Sequence, residues 1–381
     1  MAACYLDNGA TSYPKAPGVG EAVAQYIISN GANINRGTYE RAGSTEATVL
    51  ECRERLAELF SFPGSVTEVI FTPGQTYGLN QILRGYLHPG DHVVVSSLEH
   101  NAVMRPLTDL AAQGVEFSRI PADSAGRTRA KDLLPLLRPN TKLVLVSHAS
   151  NVSGTIFPLE EVSELCYERG IPLAVDAAQT AGHRAIDFAA LHLAALAVPG
   201  HKGLLGPQGI GALLLDRGFA SCLTPLVTGG TGSASDSEVQ PDYMPDRFES
   251  GTVNIPGIIG LHAALGFIME RGVSQLEAHD RLCTTRFLEG LSGANVRVVG
   301  PGNADEQVGV VSLDFISHDN GEIAYRLERD YGIMTRCGLH CAPNAHKTLG
   351  TFPLGTVRFS FGYATTAGEI DYAVNAIREL A

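Results

Sequence analysis

The sequence predicts an α/β fold: a mainly parallel sheet sandwiched by helices, followed by a smaller α+β unit. Three observations lead there. From about residue 66 to 216, short apolar runs alternate with helix-like stretches, the pattern of a parallel sheet whose crossovers are helices. Those runs are nearly continuous in Val, Leu, Ile and Ala rather than alternating with polar residues, as strands covered on both faces require. After about residue 230 the order changes to a polar, Gly- and Ser-rich stretch, then to helices and strands in a less regular sequence.

Taken along the chain, EVIFT (68–72) reads as a strand and 75–87 as a helix. DHVVVSS (91–97) is a strand and 100–113 a helix; VEFSRI (115–120) is a strand and 130–137 a helix. KLVLVSH (142–148) is followed by a helix over 159–169, and IPLAVDA (171–177) is again a strand. LAALAV (193–198) and GALLLD (211–216) are short strand-like runs. GGTGSASDSEVQPDYMPD (229–246) reads as a long surface loop. A helix near 256–271 and an amphipathic helix over 274–291 follow. VRVVG and GVVSLDF are strands, 321–331 a helix, TVRFSF (356–361) a strand, and 367–380 a closing helix.

With 381 residues the chain exceeds one ordinary core, so two domains are expected. A net charge of −12 argues against general binding to nucleic acid or anionic membranes. No run of 18 apolar residues predicts a membrane span, and the first residues do not read as a signal peptide. The seven cysteines are odd in number and mostly far apart, which suits a reducing compartment, the cytoplasm, better than a disulfide framework. Only Cys337 and Cys341 are close. A zinc reading would join them to His340 and His346, but no second such pair accompanies them.

In an open parallel sheet, ligands bind beyond the carboxyl ends of the strands. Gly74, Gln75 and Thr76 follow the first strand at a helix start, a position that attracts anions, although such residues before a helix are more often a plain cap. His100 follows the second strand, Asn151 a later one. Asp176 ends an apolar strand and needs a partner there, either a cap or arginine, or a bound cation. Lys202 stands in the turn HKGLLGPQG, nearly free of other charges, 26 residues beyond Asp176. A phosphate cradle, an acid for a ring nitrogen, a stacking side chain and a desolvated lysine are the parts a pyridoxal phosphate site needs. No GxGxxG follows a strand and no GxxxxGK[ST] exists, so nucleotide cofactors lack their signatures.

The segments YLDNGAT, EHNAV, SNVSGT, VDAAQTAGH, GHKGLLGPQGIG, FESGTVN and RCGLHCAP, spread over nearly the whole chain, resemble the class V aminotransferase-like enzymes. Within these the chain is similar to cysteine desulfurases of the SufS and selenocysteine lyase branch. The resemblance implies a fold type I pyridoxal phosphate-dependent transferase, with a large cofactor-binding domain over 15–270 and a small domain of 1–14 and 271–381. It implies Lys202 as the lysine that binds the cofactor covalently. Gln75, Thr76 and His201 would contact the phosphate, and His100 would stack on the ring. Asp176 would pair with the ring nitrogen, and Asn151 and Gln179 would lie near the phenolic oxygen. Thr252 would reach the phosphate of the neighbouring subunit in a homodimer. Arg358 would clamp the substrate carboxylate, with Arg336 and Asn35 near the substrate side chain. Cys341 would take sulfur from L-cysteine, or selenium chemistry from L-selenocysteine, its thiol acidified by His340 and Arg336.

The branch often carries His at the positions of Leu339 and Asn35 and a hydroxyl residue at Pro199; this chain does not. Its segment before Cys341 is short, which in the family goes with a dedicated sulfur-acceptor protein. An aminotransferase of the same class needs no thiol, so Cys341 discriminates against it; an epimerase of that class stays an open alternative. Retention of Lys202, Asp176 and His100 together discriminates against a cofactor-free scaffold.

Overall fold

The computed structural model describes residues 4–34, 37 and 39–381. The chain opens on a two-residue strand, β1 (Cys4–Tyr5), then helices α1 (Val19–Gln25) and α2 (Glu40–Leu59). The buried stripe of α2, Ala42, Thr45, Val49, Cys52 and Leu56, has helical spacing. It is built largely from small or half-polar residues and so carries little hydrophobic signal in the sequence.

Seven strands form the main sheet: β2 (Val69–Thr72), β3 (His92–Ser96), β4 (Glu116–Ile120), β5 (Thr141–Ser147), β6 (Leu173–Asp176), β7 (Ala195–Pro199) and β8 (Gly211–Leu215). Their order is β2-β8-β7-β6-β5-β3-β4. The pairs from β4 to β7 are parallel, and β8 runs antiparallel to both its neighbours. The reversal of β8 has a simple cause. The link from β7 to β8 spans residues 200–210 and holds no helix, too little chain for the crossover a parallel strand needs.

Alternate strand residues serve opposite faces. Val94, Val144, Val175 and Leu214 pack with Leu56 of α2 and with helices α5 (Leu159–Tyr167) and α7 (Ile255–Arg271). Val93, Val95, Leu143 and Leu213 pack against α3 (Gln75–Tyr86) and α4 (Asn101–Ala111). The short helix α6 (Arg217–Cys222) follows β8 and joins this second layer through Phe219. The stretch expected as a helix over 130–137 is a short 3₁₀ segment, Ala130–Leu136; Pro135 within it has no amide hydrogen for a regular α-helical ladder.

The C-terminal part holds α8 (Val273–Gly290), β9 (Arg297–Val299), β10 (Val310–Asp314), α9 (Asn320–Tyr331), β11 (Ile333–Met334), β12 (Arg336–Gly338), α10 (Pro343–Thr348), β13 (Thr356–Ser360) and α11 (Ala367–Leu380). An antiparallel sheet, β12-β13-β10-β9, packs its own core of Phe287, Leu313, Phe359 and Ile377. The N-terminal residues belong here: β1 pairs in parallel with β11, and Leu6 is buried in this core. Among the described residues no helix is long and apolar enough to cross a membrane.

Candidate active site

The carboxyl ends of the parallel strands meet at one cavity of about 550 Å³. Lys202, Asp176, His100, Thr76, Gln179 and Asn151 all line it, as do Gln75 and His201. Eight residues expected from the sequence to serve one site are therefore brought together by the ends of β2, β3, β5, β6 and β7.

At one end lies the N-terminus of α3. Gly74 precedes it with no side-chain cap, and its φ of 151° is a conformation that favours glycine. The backbone N–H groups of Gln75 and Thr76 accordingly take no hydrogen bond among the described residues, so this end is open to an anion. The side chain of Gln75, expected at that anion, turns instead to the cavity floor. Its Nε2 donates to Asp176 Oδ1 (2.6 Å) and to the Ala197 carbonyl (3.0 Å), while Oε1 is buried without a partner.

Asp176 closes β6 and is 4 % exposed. Its Oδ1 also accepts from the Ala178 amide (2.9 Å), and among the described residues no arginine pairs with it. Burial raises its pKa, opposed by the Ala178 amide, Lys202 and Gln75. Burial likewise lowers Lys202 to about 8; Arg358 and Arg336 push the same way, and Asp176 and Asp7 oppose them. His201 is fixed by its backbone carbonyl, which accepts from Ser12 N (3.0 Å) and Lys15 Nζ (2.8 Å), and by Nδ1 against Thr11 Oγ1 (3.1 Å). Burial and the two lysines lower its pKa to about 4, so it is neutral at pH 7.

His100 caps α4: its Nδ1 accepts from the Ala102 amide at 2.9 Å. Burial, then the charges of Lys202, Arg336, Arg358 and Arg105, lower its pKa to about 4. A neutral imidazole whose Nδ1 accepts carries its proton on Nε2. Gln179 Nε2 donates to the Gly9 carbonyl (3.1 Å), and Asn151 Nδ2 to the His340 carbonyl (2.7 Å). The amide nitrogens of both are thus engaged by backbone.

The C-terminal sheet supplies a second group. Arg336 and Arg358 face each other across β12 and β13. Arg358 is 1 % exposed; its Nη2 donates to Asp7 Oδ1 (2.8 Å) and Nη1 to the Asn151 carbonyl (3.1 Å), leaving Nε unpaired. Asp7 is a residue the sequence reading missed, because its partner lies 351 positions away. Cys341 is exposed, and both it and His340 have positive φ (58° and 48°). Its carbonyl accepts from the Asn101 amide at 2.8 Å, which pins the cysteine turn to the residue that follows His100. His340 does not serve as the cation expected beside that thiol. It is buried against Thr356 Oγ1 (3.0 Å), and burial, Arg358, His346 and Arg336 push its pKa down to about 2.

All seven cysteines are free thiols. Cys337 is half-buried on β12, its pKa raised by burial and by Asp319. The rings of His340 and His346 lie 5.5 Å apart, but His346 Nδ1 engages Thr351 Oγ1 (2.6 Å). Among the described residues no three His, Cys, Asp or Glu gather as a metal site.

Thr252 is not in the Lys202 cavity. It lines a separate one of about 900 Å³, beside the buried pair Arg53–Glu249. Glu249 receives Arg53 through both oxygens (2.8 and 2.7 Å) and the Phe71 amide (2.6 Å), fixing the Thr252 segment to β2. Asn35 lies outside the described residues.

The family model described as "Aminotransferase class-V" matches residues 4–373. A probable cysteine desulfurase of Pyrococcus abyssi is 33% identical over 383 residues, covering 99% of this chain and 94% of that protein. A cysteine desulfurase of Haloferax volcanii is 30% identical, covering 98% and 88%. Among solved structures, an apo cysteine desulfurase from Thermococcus onnurineus NA1 matches with a TM-score of 0.93 at 32% identity, covering 99% of this chain and 94% of that one. The cysteine desulfurase CsdA of Escherichia coli matches with a TM-score of 0.88 at 28% identity and the same coverage. A family match over nearly the full length, on a sheet of this order with its site at the parallel strand ends, fixes the assignment: this chain belongs to the class V aminotransferase family.

Proposed function

We propose that the protein is a pyridoxal phosphate-dependent cysteine desulfurase, which converts L-cysteine to L-alanine and leaves the sulfur as a persulfide on Cys341. The observation that carries this is an exposed cysteine whose backbone is bonded to the residue after His100, which lines one cavity with Lys202 and Asp176. The names of the relatives favour L-cysteine over L-selenocysteine as substrate.

The residues present fit the cofactor. The uncapped N-terminus of α3 with Thr76 and His201 suits the phosphate, the buried acceptor Asp176 suits a protonated ring nitrogen, and Gln75 Oε1 is a buried acceptor in want of a donor. Gln179 and Asn151 retain their carbonyl oxygens for the same cavity. Once bound, pyridoxal phosphate supplies an electron sink that labilises bonds at the substrate Cα and Cβ.

This chain's own residues do the rest. Lys202 is the amine for covalent attachment and, when displaced, a base whose depressed pKa lets Nζ take and return a proton at Cα. His100, a neutral imidazole lining the cavity, would stack on the cofactor ring. Arg358, held in plane by Asp7 and the Asn151 carbonyl, receives the substrate carboxylate beside Arg336. The Cys341 thiolate attacks the substrate sulfur: an S–S bond forms, the Cβ–S bond breaks, and its electron pair stays with the carbon that is protonated to alanine.

The rest of the reading follows the same line. Two hydrophobic clusters on the faces of the main sheet, and a third that joins Cys4 and Leu6 to the C-terminal part, support a large domain over 15–270 and a small one of 1–14 and 271–381. Thr252, remote from Lys202 of its own chain, suits a homodimer in which it serves the other chain's phosphate end. Seven free thiols suit the cytoplasm, and a sulfur-acceptor protein would collect the persulfide.

The experiment is to incubate wild type and Cys341→Ala with L-cysteine, quantify alanine, then alkylate and digest. Cys341→Ala should lose at least about a hundredfold in alanine formation while still binding pyridoxal phosphate. Undiminished alanine from that variant, or a wild-type persulfide found on Cys337 instead, would sink the assignment.

A further inference from the structure

One buried acid of the site has no part in that chemistry. Glu99 is 1 % exposed and has no cationic partner among the described residues. Every contact of its carboxylate is with one of two serines. Oε1 accepts from Ser147 N (2.9 Å), Ser96 Oγ (2.6 Å) and Ser96 N (3.3 Å), and Oε2 from Ser147 Oγ (2.7 Å). Ser96 ends β3 and Ser147 ends β5, one step past Val95 and two past Leu145, the last residues paired between those strands.

The location is significant. From β3 the chain passes outward to β4, then returns to β5 and runs the other way through β6 and β7. The crevice between β3 and β5 is therefore the topological switch point, where parallel sheets open to hold ligands. Glu99 spans that opening. On one side it is joined in the chain to His100; on the other it holds Ser147, which lines the cavity and stands in register with Asp176 on β6.

We propose that Glu99 is a positioning residue: its carboxyl group staples the parting ends of β3 and β5, and so fixes the spacing between His100 on one side of the cavity and Asp176 on the other. The proposal rests on the cofactor reading of this cavity. Burial raises the pKa of Glu99 to about 7, with Asp176 adding to the rise and the serine donors opposing it, so the staple holds whether or not Oε2 carries a proton. The neutral form can donate to Ser147 Oγ while Oε1 still takes both backbone amides. A glutamine fits the same four partners with its oxygen at Oε1 and its NH₂ toward Ser147 Oγ.

The test uses the full-length protein as Glu99→Ala, Glu99→Gln and the double variant Ser96→Ala/Ser147→Ala. The measurements are the Kd for pyridoxal phosphate by absorbance titration, kcat and KM for alanine formation, and the melting temperature. Glu99→Ala should weaken cofactor binding and lower kcat by about tenfold or more, with KM for cysteine within about threefold, because Arg358 lies on another sheet. Glu99→Gln should stay within about threefold of wild type in both. If Glu99→Ala does not fold, the serine variant, which keeps the carboxyl group and both backbone amides, should show the same two losses at about fivefold, beyond the range expected of Glu99→Gln. A lowered melting temperature with wild-type Kd and kcat would overturn the proposal, as would a Glu99→Gln variant as impaired as Glu99→Ala. A wild-type protein that bound no pyridoxal phosphate would instead remove the functional reading beneath it.

Discussion

Lys202 should titrate as an unusually acidic lysine in the cofactor-free protein. Its pKa of about 8, against 10.5 for a free lysine side chain, leaves about 9 % of the amine unprotonated at pH 7 rather than about 0.03 %, a gain of about 300-fold in nucleophilic form. The causes have opposite signs, so substitutions should move the midpoint in opposite directions. Asp176→Asn removes a negative charge that raises the pKa and should lower it further; Arg336→Ala removes a positive charge and should raise it. The linkage to stability has a definite window. Because the folded pKa is depressed, the unfolded chain binds more protons between about pH 8 and 10.5, so this group contributes stability that grows with pH across that range. Competitive acetylation of the apoprotein as a function of pH, read by mass spectrometry on the peptide containing Lys202, measures the midpoint. A midpoint near 10, or an upward shift in Asp176→Asn, would refute the reasoning.

Two further outcomes are expected. Glu249→Gln leaves the Arg53 guanidinium charged, 7 % exposed and without its counter-ion, which should cost about 3–5 kcal/mol in chemical denaturation; replacing both residues by Met or Leu should cost less, and a loss under about 1 kcal/mol for the single variant would contradict the pair's burial. Arg358→Lys cannot reach Asp7 and the Asn151 carbonyl as a fork, so KM for L-cysteine should rise about tenfold or more, and an unchanged KM would remove Arg358 from the carboxylate site.

The sequence exposes those parts of the fold whose signal is local. The Val- and Leu-rich strands, and the catalytic types that directly follow them, are read from a window of a few residues; Asp176, Lys202 and His100 were found that way and share one cavity. What stays hidden depends on partners distant in the chain. Gln75 reads as an anion contact because it starts a helix, but its amide finds Asp176, 101 positions away. His340 beside Cys341 reads as a cation until burial against Thr356 makes it neutral. Glu99 reads as an ordinary acid before a helix, since nothing nearby in the sequence announces that two serines from different strands will enclose it. Helix α2 is hidden for another reason, its inward face being Ala, Thr and Cys as much as Val and Leu.

Residues 4–12 lie with chain far from them in sequence: β1 beside β11, Asp7 on Arg358, and Ser12 on the carbonyl that precedes Lys202. On a ribosome this segment emerges well before the strands it will meet. The main sheet can close over its cavity once residue 215 is made, whereas the arginine pair, the cysteine turn and the N-terminal residues that brace them can settle only after the chain passes β13. Contacts of such long sequence separation form late because loop closure must come first. A nascent or prematurely ended chain therefore holds a lysine pocket with neither the Arg336–Arg358 pair nor the Cys341 turn in place, and any chemistry that needs all three waits until β13 has been made.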